Sequence, residues 1–293
     1  MDASFFDLPE AFSDAQTAQA VIVPIPYEAS VSYGKGAGRG PAAVHQASLQ
    51  VEYYDELLDR EPYRCGIAHE PLGDPNDVGG WLAEVMIEHF GDIVGAHLDA
   101  GRFPVVLGGE HTVTLAPFSA AVERYPDLHV LHLDAHADLR DQYEGDPYSH
   151  ACVARRMAER APIVQLGIRS FDLEQKKALA KLPVNMLMAH QIRGGQSMIA
   201  FAEKHLGDPV YLTIDLDAFD PSIMPATGTP EPNGLLWQEV DELLDWLFAN
   251  RRVVAMDAVE LAPIEGMPAS DFLVARMIYR CIGRRFPQDE IDG

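Results

Sequence analysis

Residues 129–138 read HVLHLDAHAD. The first five, His129–Leu133, form a short, mostly apolar run, of the length and character of a buried strand. The run stops at Asp134-Ala135-His136-Ala137-Asp138, where metal-ligand residue types alternate. The same sequence of events recurs along the chain. FPVVL (103–107) runs into GGEH (108–111), VYLTI (210–214) into DLDAFD (215–220), and VVAM (253–256) into DAVE (257–260). Further strands are predicted at 20–24, 163–167 and 184–188. Helices are predicted between them at 42–50, 81–100, 115–124, 151–160, 173–181, 198–205, 236–250 and 270–284. The strands are continuous apolar runs rather than alternating ones, which fits strands buried on both faces. Strand–helix alternation predicts an α/β fold with a central, mostly parallel sheet flanked by helices. No internal repeat and no Pro/Gly/Ser-rich linker divides the chain, so residues 1–293 are expected to form a single domain.

The composition narrows the partners. Lys+Arg total 22 and Asp+Glu 45, a formal net charge of −23. Nucleic acid and anionic membrane need basic surface and are excluded. A cationic substrate and metal ions fit, although solvated surface accounts for most of the acids. The three cysteines, Cys65, Cys152 and Cys281, form no CxxC pair, which predicts no disulfide framework and a reducing cytoplasm. The N-terminus lacks the basic-then-apolar pattern of a signal peptide. The best uncharged stretch, Ala15–Tyr27, contains two prolines and is shorter than the ~20 residues of a membrane span.

In an open α/β sheet, ligands bind at the carboxyl ends of the strands. In an extended segment the side chains of Asp134, His136 and Asp138 would face one side at intervals of ~6.6 Å. Asp215 and Asp217 repeat that spacing from another strand, and His111 adds a nitrogen. Four carboxylates balance two divalent cations; without cations they would repel and take up protons. A carboxylate-rich donor set with some imidazole suits harder ions such as Mn²⁺. Two metals ~3.5–4 Å apart can activate a shared water, so hydrolysis is the expected reaction class. The glycines at 34, 36, 38 and 40 match neither GxGxxG nor GxxxxGK[ST] and predict a turn with positive φ.

Taken together, GGEH (108–111), DAHAD (134–138), SH (149–150), DLDAFDP (215–221) with MPATGTPEPNGL (224–235), and DAVELAP (257–263) resemble the signatures of the ureohydrolase (arginase/agmatinase) family. IPYEASVSYGKGAGRGP (25–41) extends the likeness over nearly the whole chain, and DAHADLRD and SHACVARR are most similar to agmatinase and its polyamine-pathway relatives. The resemblance implies a three-layer α/β/α fold and two Mn²⁺ per chain. It also implies homo-oligomers, trimers or hexamers, and hydrolysis of a small cationic guanidine to urea and an amine. By motif position, His111, Asp134, Asp138 and Asp215 would hold one metal, and Asp134, His136, Asp215 and Asp217 the other. His150 falls where the family has a histidine that carries protons, Glu260 where a glutamate meets the guanidinium, and Thr229 where a further substrate contact lies. Asp138 is counted with His150 and Glu260 among the catalytic residues.

Neighbouring residues carry milder expectations. His132 is expected to be a packed core histidine, and Asp220 and Asp257 to orient ligands or cap loops. Arginine-hydrolysing members place an asparagine two residues after the last acid of D-x-H-x-D, where this chain has Arg140. Agmatine, which lacks an α-carboxylate, is therefore the first expected substrate, ahead of aminopropylagmatine, guanidinobutyrate and arginine. The loop acids Asp141, Glu144 and Asp146 are candidates for drawing in a cationic tail. A catalytically silent binding subunit is opposed by the intact donor set. A two-metal phosphoesterase is opposed by the acid-rich strand ends, since phosphate needs Arg, Lys or backbone nests.

Overall fold

The computed structural model describes residues 4–287; the ends of the unit expected over 1–293, residues 1–3 and 288–293, lie outside the described residues. Eight strands form: β1 (Ala20–Ile25), β2 (Ile67–His69), β3 (Phe103–Gly108), β4 (His129–Leu133), β5 (Ile163–Ile168), β6 (Val184–Met188), β7 (Val210–Asp215) and β8 (Val253–Val259). They make one sheet in the order β2-β1-β3-β8-β7-β4-β5-β6, and all the pairings are parallel. Strand β2 and the helices Pro75–Val78 and Ala189–Arg193 were not anticipated; elements of three to five residues are too short to show a period. Strand β8 continues three residues past the predicted Met256, so Asp257 lies inside the sheet and Glu260 is the acid at its end.

Alternation along each buried strand splits the apolar side chains between two cores. Ile22, Val105, Leu107, Leu131, Leu133, Leu212 and Ile214 face one side. The helices Gly40–Ser48, Trp237–Asn250 and Ala269–Arg285 pack there through Val44, Leu243, Leu247, Val274 and Ile278. Val21, Val23, Val106, Val130 and Tyr211 face the other side, under Ala83–Asp99, Leu115–Arg124 and Val153–Ala158. These are the three expected layers. Each fully buried Leu, Ile or Val contributes roughly 1.5–3 kcal/mol. The cysteines are free and buried, and burial pushes the Cys65 and Cys281 thiols up to about 12.

The four strands whose ends carry the acids and histidines, β3, β8, β7 and β4, are consecutive in the sheet. Neighbouring strands are ~4.8 Å apart, so these ends fall within one patch. Leu133 pairs with Ile214 in register, so Asp134, just past β4, and Asp215, the last residue of β7, lie side by side. Gly109 fixes the end of β3: its N–H donates to Ile25 O at 2.9 Å and its carbonyl accepts Glu260 N–H at 2.7 Å. A Cβ there would stand 2.0 Å from Tyr27 O, a backbone atom that cannot move independently. Gly109→Ala should therefore destabilise the protein by about 1–3 kcal/mol and displace His111. Urea unfolding checks this, and an unchanged midpoint would contradict the close approach.

Candidate metal centre and substrate cavity

The donors converge, but not through extended backbone. Asp138 adopts a left-handed conformation (φ 51°), and Leu216–Ala218 is a 3-10 turn capped by Asp215, whose Oδ1 accepts Asp217 N–H at 2.9 Å. The expected spacing along straight segments is replaced by two tight turns that fold back over the strand ends. His136 N–H donates to Asp134 Oδ1 at 2.6 Å, and Ala135 N–H to Asp217 Oδ1 at 3.0 Å, so the β4 and β7 turns hold each other. His111 Nδ1 then lies 3.4, 3.3 and 3.1 Å from carboxylate oxygens of Asp134, Asp138 and Asp215. His136 Nδ1 lies 2.8 Å from Asp217 Oδ2 and 3.6 Å from Asp134 Oδ1. All six predicted donors come together.

Does this set fit cations? Three observations say so. The opposite nitrogen of His111, Nε2, is 3.2 Å from Thr213 Oγ1, whose own hydrogen goes to Asp257 Oδ1 at 2.7 Å. Nε2 therefore carries a ring hydrogen, and the buried Nδ1, which makes no hydrogen bond, is turned to the three carboxylates, which push the imidazole well above its usual range against burial. Second, the acids are crowded: burial pushes the Asp215 carboxyl well above its usual range, and the charges of Asp217 and Asp134 push it further, while hydrogen bonds from His111, His132 and His136 hold Asp134 well below its range against burial. Burial and Asp134 raise Asp217 likewise. Burial would lower the His136 imidazole, yet the Asp217 charge overrides it and lifts it to about 12. Third, two donor groups, His111/His132/Asp134 and Asp134/His136/Asp217, each bring their atoms within 4.8 Å and share Asp134. His132 is buried as expected but is not a bystander, since its Nε2 is 2.8 Å from Asp134 Oδ2 and its Nδ1 faces Gln165 Nε2 at 3.1 Å. Both ring nitrogens are engaged, so His132 orients Asp134.

A cavity of about 300 Å³ opens over this cluster and is also lined by His150, Thr229 and Glu260. Glu260 is left-handed (φ 69°), with Oε1 accepting His111 N–H at 2.6 Å. Burial, then the Glu110 charge, lifts its carboxyl to about 8. Such a group gains most from a cation placed against it. His150 sits between Ser30 Oγ, 3.0 Å from Nδ1, and Ser32 Oγ, 2.8 Å from Nε2. Thr229 Oγ1 is 3.4 Å from Asp217 Oδ2. Asp220 caps its loop through Ser222 and Gly234 N–H, and Asp257 holds Tyr211 and Thr213, so both are orienting groups as expected. Asp141, Glu144 and Asp146 do not line the cavity, and Asp141 is tied to Arg156 at 2.6 Å. At the rim Arg140 pairs with Asp172 at 2.8 Å and lies over the Tyr143 ring.

Several contributors were not recognised in the sequence. Arg169 donates to the carbonyls of Gly167, Asp217, Ala218, Phe219 and Glu231, clamping the turn that carries Asp217. Thr213 was visible as a polar residue in an apolar run, and Glu110 as the acid of GGEH, but nothing local says what either holds. Of the alternating glycines, Gly36 has positive φ (121°), and the amides of Gly36 and Gly38 instead clasp the Glu28 carboxylate at 2.8 and 2.9 Å.

A family model described as the arginase family matches residues 18–283. The N(1)-aminopropylagmatine ureohydrolase of Synechocystis sp. is 36% identical over 283 residues, covering 94% of this chain and 91% of that protein. The agmatinase of Bacillus anthracis is 35% identical over 254 residues, covering 85% of each chain. The crystal structure of the agmatine ureohydrolase of Thermoplasma volcanium superposes with a TM-score of 0.82 at 26% identity, covering 97% of this chain and 94% of that one. With the carboxylate–imidazole cluster at the ends of a wholly parallel sheet, these likenesses mean that the chain belongs to the arginase family, as a ureohydrolase acting on guanidino compounds.

Proposed function

We propose that the protein hydrolyses the guanidinium group of agmatine or N1-aminopropylagmatine to urea and the corresponding amine, putrescine in the case of agmatine, with two Mn²⁺ as cofactor. The observation that carries this reading is the single cavity that joins the donor cluster to the buried carboxyl of Glu260. His111, Asp134, Asp138 and Asp215 would hold one cation, and Asp134, His136, Asp215 and Asp217 the other. When bound, the cations supply a water acidic enough to ionise near neutral pH. Glu260 receives the planar guanidinium, whose fork of donors suits a carboxylate, and Thr229 adds a contact beside it. Asp138 fixes the cluster side of the cavity. His150 carries a proton to the leaving amine, a task suited to an imidazole.

The two tails have equal support. Relatives carry both names, and the two substrates share the guanidinobutylamine portion. A carboxylated tail is disfavoured because the rim cation, Arg140, already has a carboxylate partner in Asp172. No helix among the described residues is long and apolar enough to cross a membrane, consistent with a small polar substrate met in water.

Urea release measured across agmatine, aminopropylagmatine, arginine and guanidinobutyrate should give the highest kcat/KM with one of the first two; fastest turnover of arginine would refute the tail assignment. His136→Asn should lower bound Mn²⁺ below two per chain and reduce kcat/KM by more than about 100-fold. Full activity with unchanged metal content would remove His136 from the centre. In the cation-free cluster Asp215, Asp217 and His136 all hold protons more readily than usual, so entering cations must expel them. Mn²⁺ affinity should therefore rise with pH, and the calorimetric binding heat should vary with the ionisation enthalpy of the buffer. A buffer-independent heat would contradict this.

A further inference from the structure

Ser30, in the segment after β1, touches both His150 and a buried acid. Its Oγ lies 2.7 Å from Glu110 Oε1, 3.1 Å from the His150 backbone nitrogen and 3.0 Å from His150 Nδ1. A hydroxyl has one hydrogen and two lone pairs. The Glu110 carboxylate accepts only, so the hydroxyl hydrogen goes to Oε1. The His150 amide takes one lone pair. The lone pair that remains faces Nδ1, which must therefore carry the ring hydrogen. In the neutral imidazole this leaves the free lone pair on Nε2, where the cavity-lining Ser32 hydroxyl meets it at 2.8 Å. Ser149 Oγ is more distant from Nδ1, at 3.4 Å, and the Tyr143 ring meets the imidazole edge-on at 5.8 Å between centroids.

The anchor is firm. Glu110 is 1% exposed. Its Oε2 accepts the amides of Ala29 and Ser30, both at 2.6 Å, and Oε1 also accepts the Thr112 hydroxyl at 2.7 Å. Four donors thus lock a carboxylate whose only link to the imidazole is the Ser30 hydroxyl. Such support fixes ring orientation and tautomer in the way that partners of ligating histidines do.

We propose that Ser30, anchored by Glu110, is a positioning residue that fixes His150 in its Nδ1–H form and so presents Nε2 to the substrate. This rests on the reading of His150 as the proton carrier. In the reaction the attacking water gives up one proton to Nε2 as its oxygen bonds to the guanidinium carbon, and the imidazolium passes that proton from Nε2 to the leaving amine nitrogen as the C–N bond breaks. The remaining hydroxyl proton leaves as the urea carbonyl forms and goes to the released amine, and the Nδ1 hydrogen stays on Nδ1, donated to Ser30 Oγ, throughout. Without Ser30 the ring can settle in the other tautomer, with no lone pair at Nε2.

The test is a double-mutant cycle on the Mn²⁺-loaded enzyme, with metal content and melting temperature measured for every variant. Ser30→Ala should lower kcat about 10-fold or more and leave KM within about two-fold. Ser30→Thr, which keeps the hydroxyl, should recover most of the loss. On a His150→Ala background, Ser30→Ala should cost nothing further, because its effect runs through the ring. Additive losses, or an equal loss in Ser30→Thr, would overturn the proposal while leaving His150 in its role. Wild-type kcat in His150→Ala would instead overturn the reading of His150 itself. Should Ser30→Ala lose metal or melt early, Ser30→Gly carries the same comparison.

Discussion

The structure is organised around a debt of positive charge. Asp134, Asp138, Asp215 and Asp217 are buried together at the ends of adjacent strands, with His111 Nδ1 turned into them and bonded to nothing. Carboxylates in such a place are costly unless paired or bound to metal. The surroundings are arranged to tolerate that cost rather than relieve it. Thr213 and Asp257 set the His111 ring, His132 and Gln165 set Asp134, and Arg169 spends its donors on backbone carbonyls, leaving the carboxylates free. Most of the nearby polar groups aim the donors, while the imidazoles of His111 and His136 lie directly against the acids. Protons on His136 and on the crowded carboxylates relieve part of the repulsion, in a geometry that fits cations able to displace them.

The substrate side follows the same logic one step further out. Glu260 leaves the end of β8 in a left-handed conformation that non-glycine residues seldom adopt, and it lines the cavity. The αL turns at Asp138 and Glu260 are local strain that the parallel sheet and the bond from Glu260 N–H to Gly109 over-determine. Strain at both the cluster and the carboxyl that faces it places the two within one cavity, which loop flexibility alone would not maintain.

Much of this was legible in the residue order. HVLHL, VYLTI and FPVVL read as strands because their continuous apolar character matches burial on both faces, and the polar residues that follow each run mark the sheet edge where ligands gather. The donor residues could be named for the same reason. Their conformation could not. The alternation in DAHAD suggests an extended ligand row, whereas the chain turns at Asp138, whose carbonyl accepts Arg155 N–H at 3.0 Å, while Ala135 N–H is held by Asp217 Oδ1 from the β7 turn, distant in sequence. Asp257 misled the reading of β8, since an acid in a strand signals an end unless Tyr211 and Thr213 are there to receive it. Arg169, Glu110 and Ser30 share that difficulty, because each acts on backbone or side chains distant in sequence and near only in the fold.

The strand order has a consequence for assembly. β8, the last strand in sequence among the described residues, lies between β3 and β7. Before it inserts, the sheet can exist only as two pieces, β2-β1-β3 and β7-β4-β5-β6, each with an open hydrogen-bonding edge. His111 sits at the end of one piece and the aspartates at the ends of the other, with Glu260 on the keystone strand itself. On a ribosome, where the amino-terminal part emerges first, both edges stay exposed until β8 has been made. Closing the gap therefore does three things at once: it seals two sticky edges, joins the layers into one body, and brings the reactive groups within reach of one another.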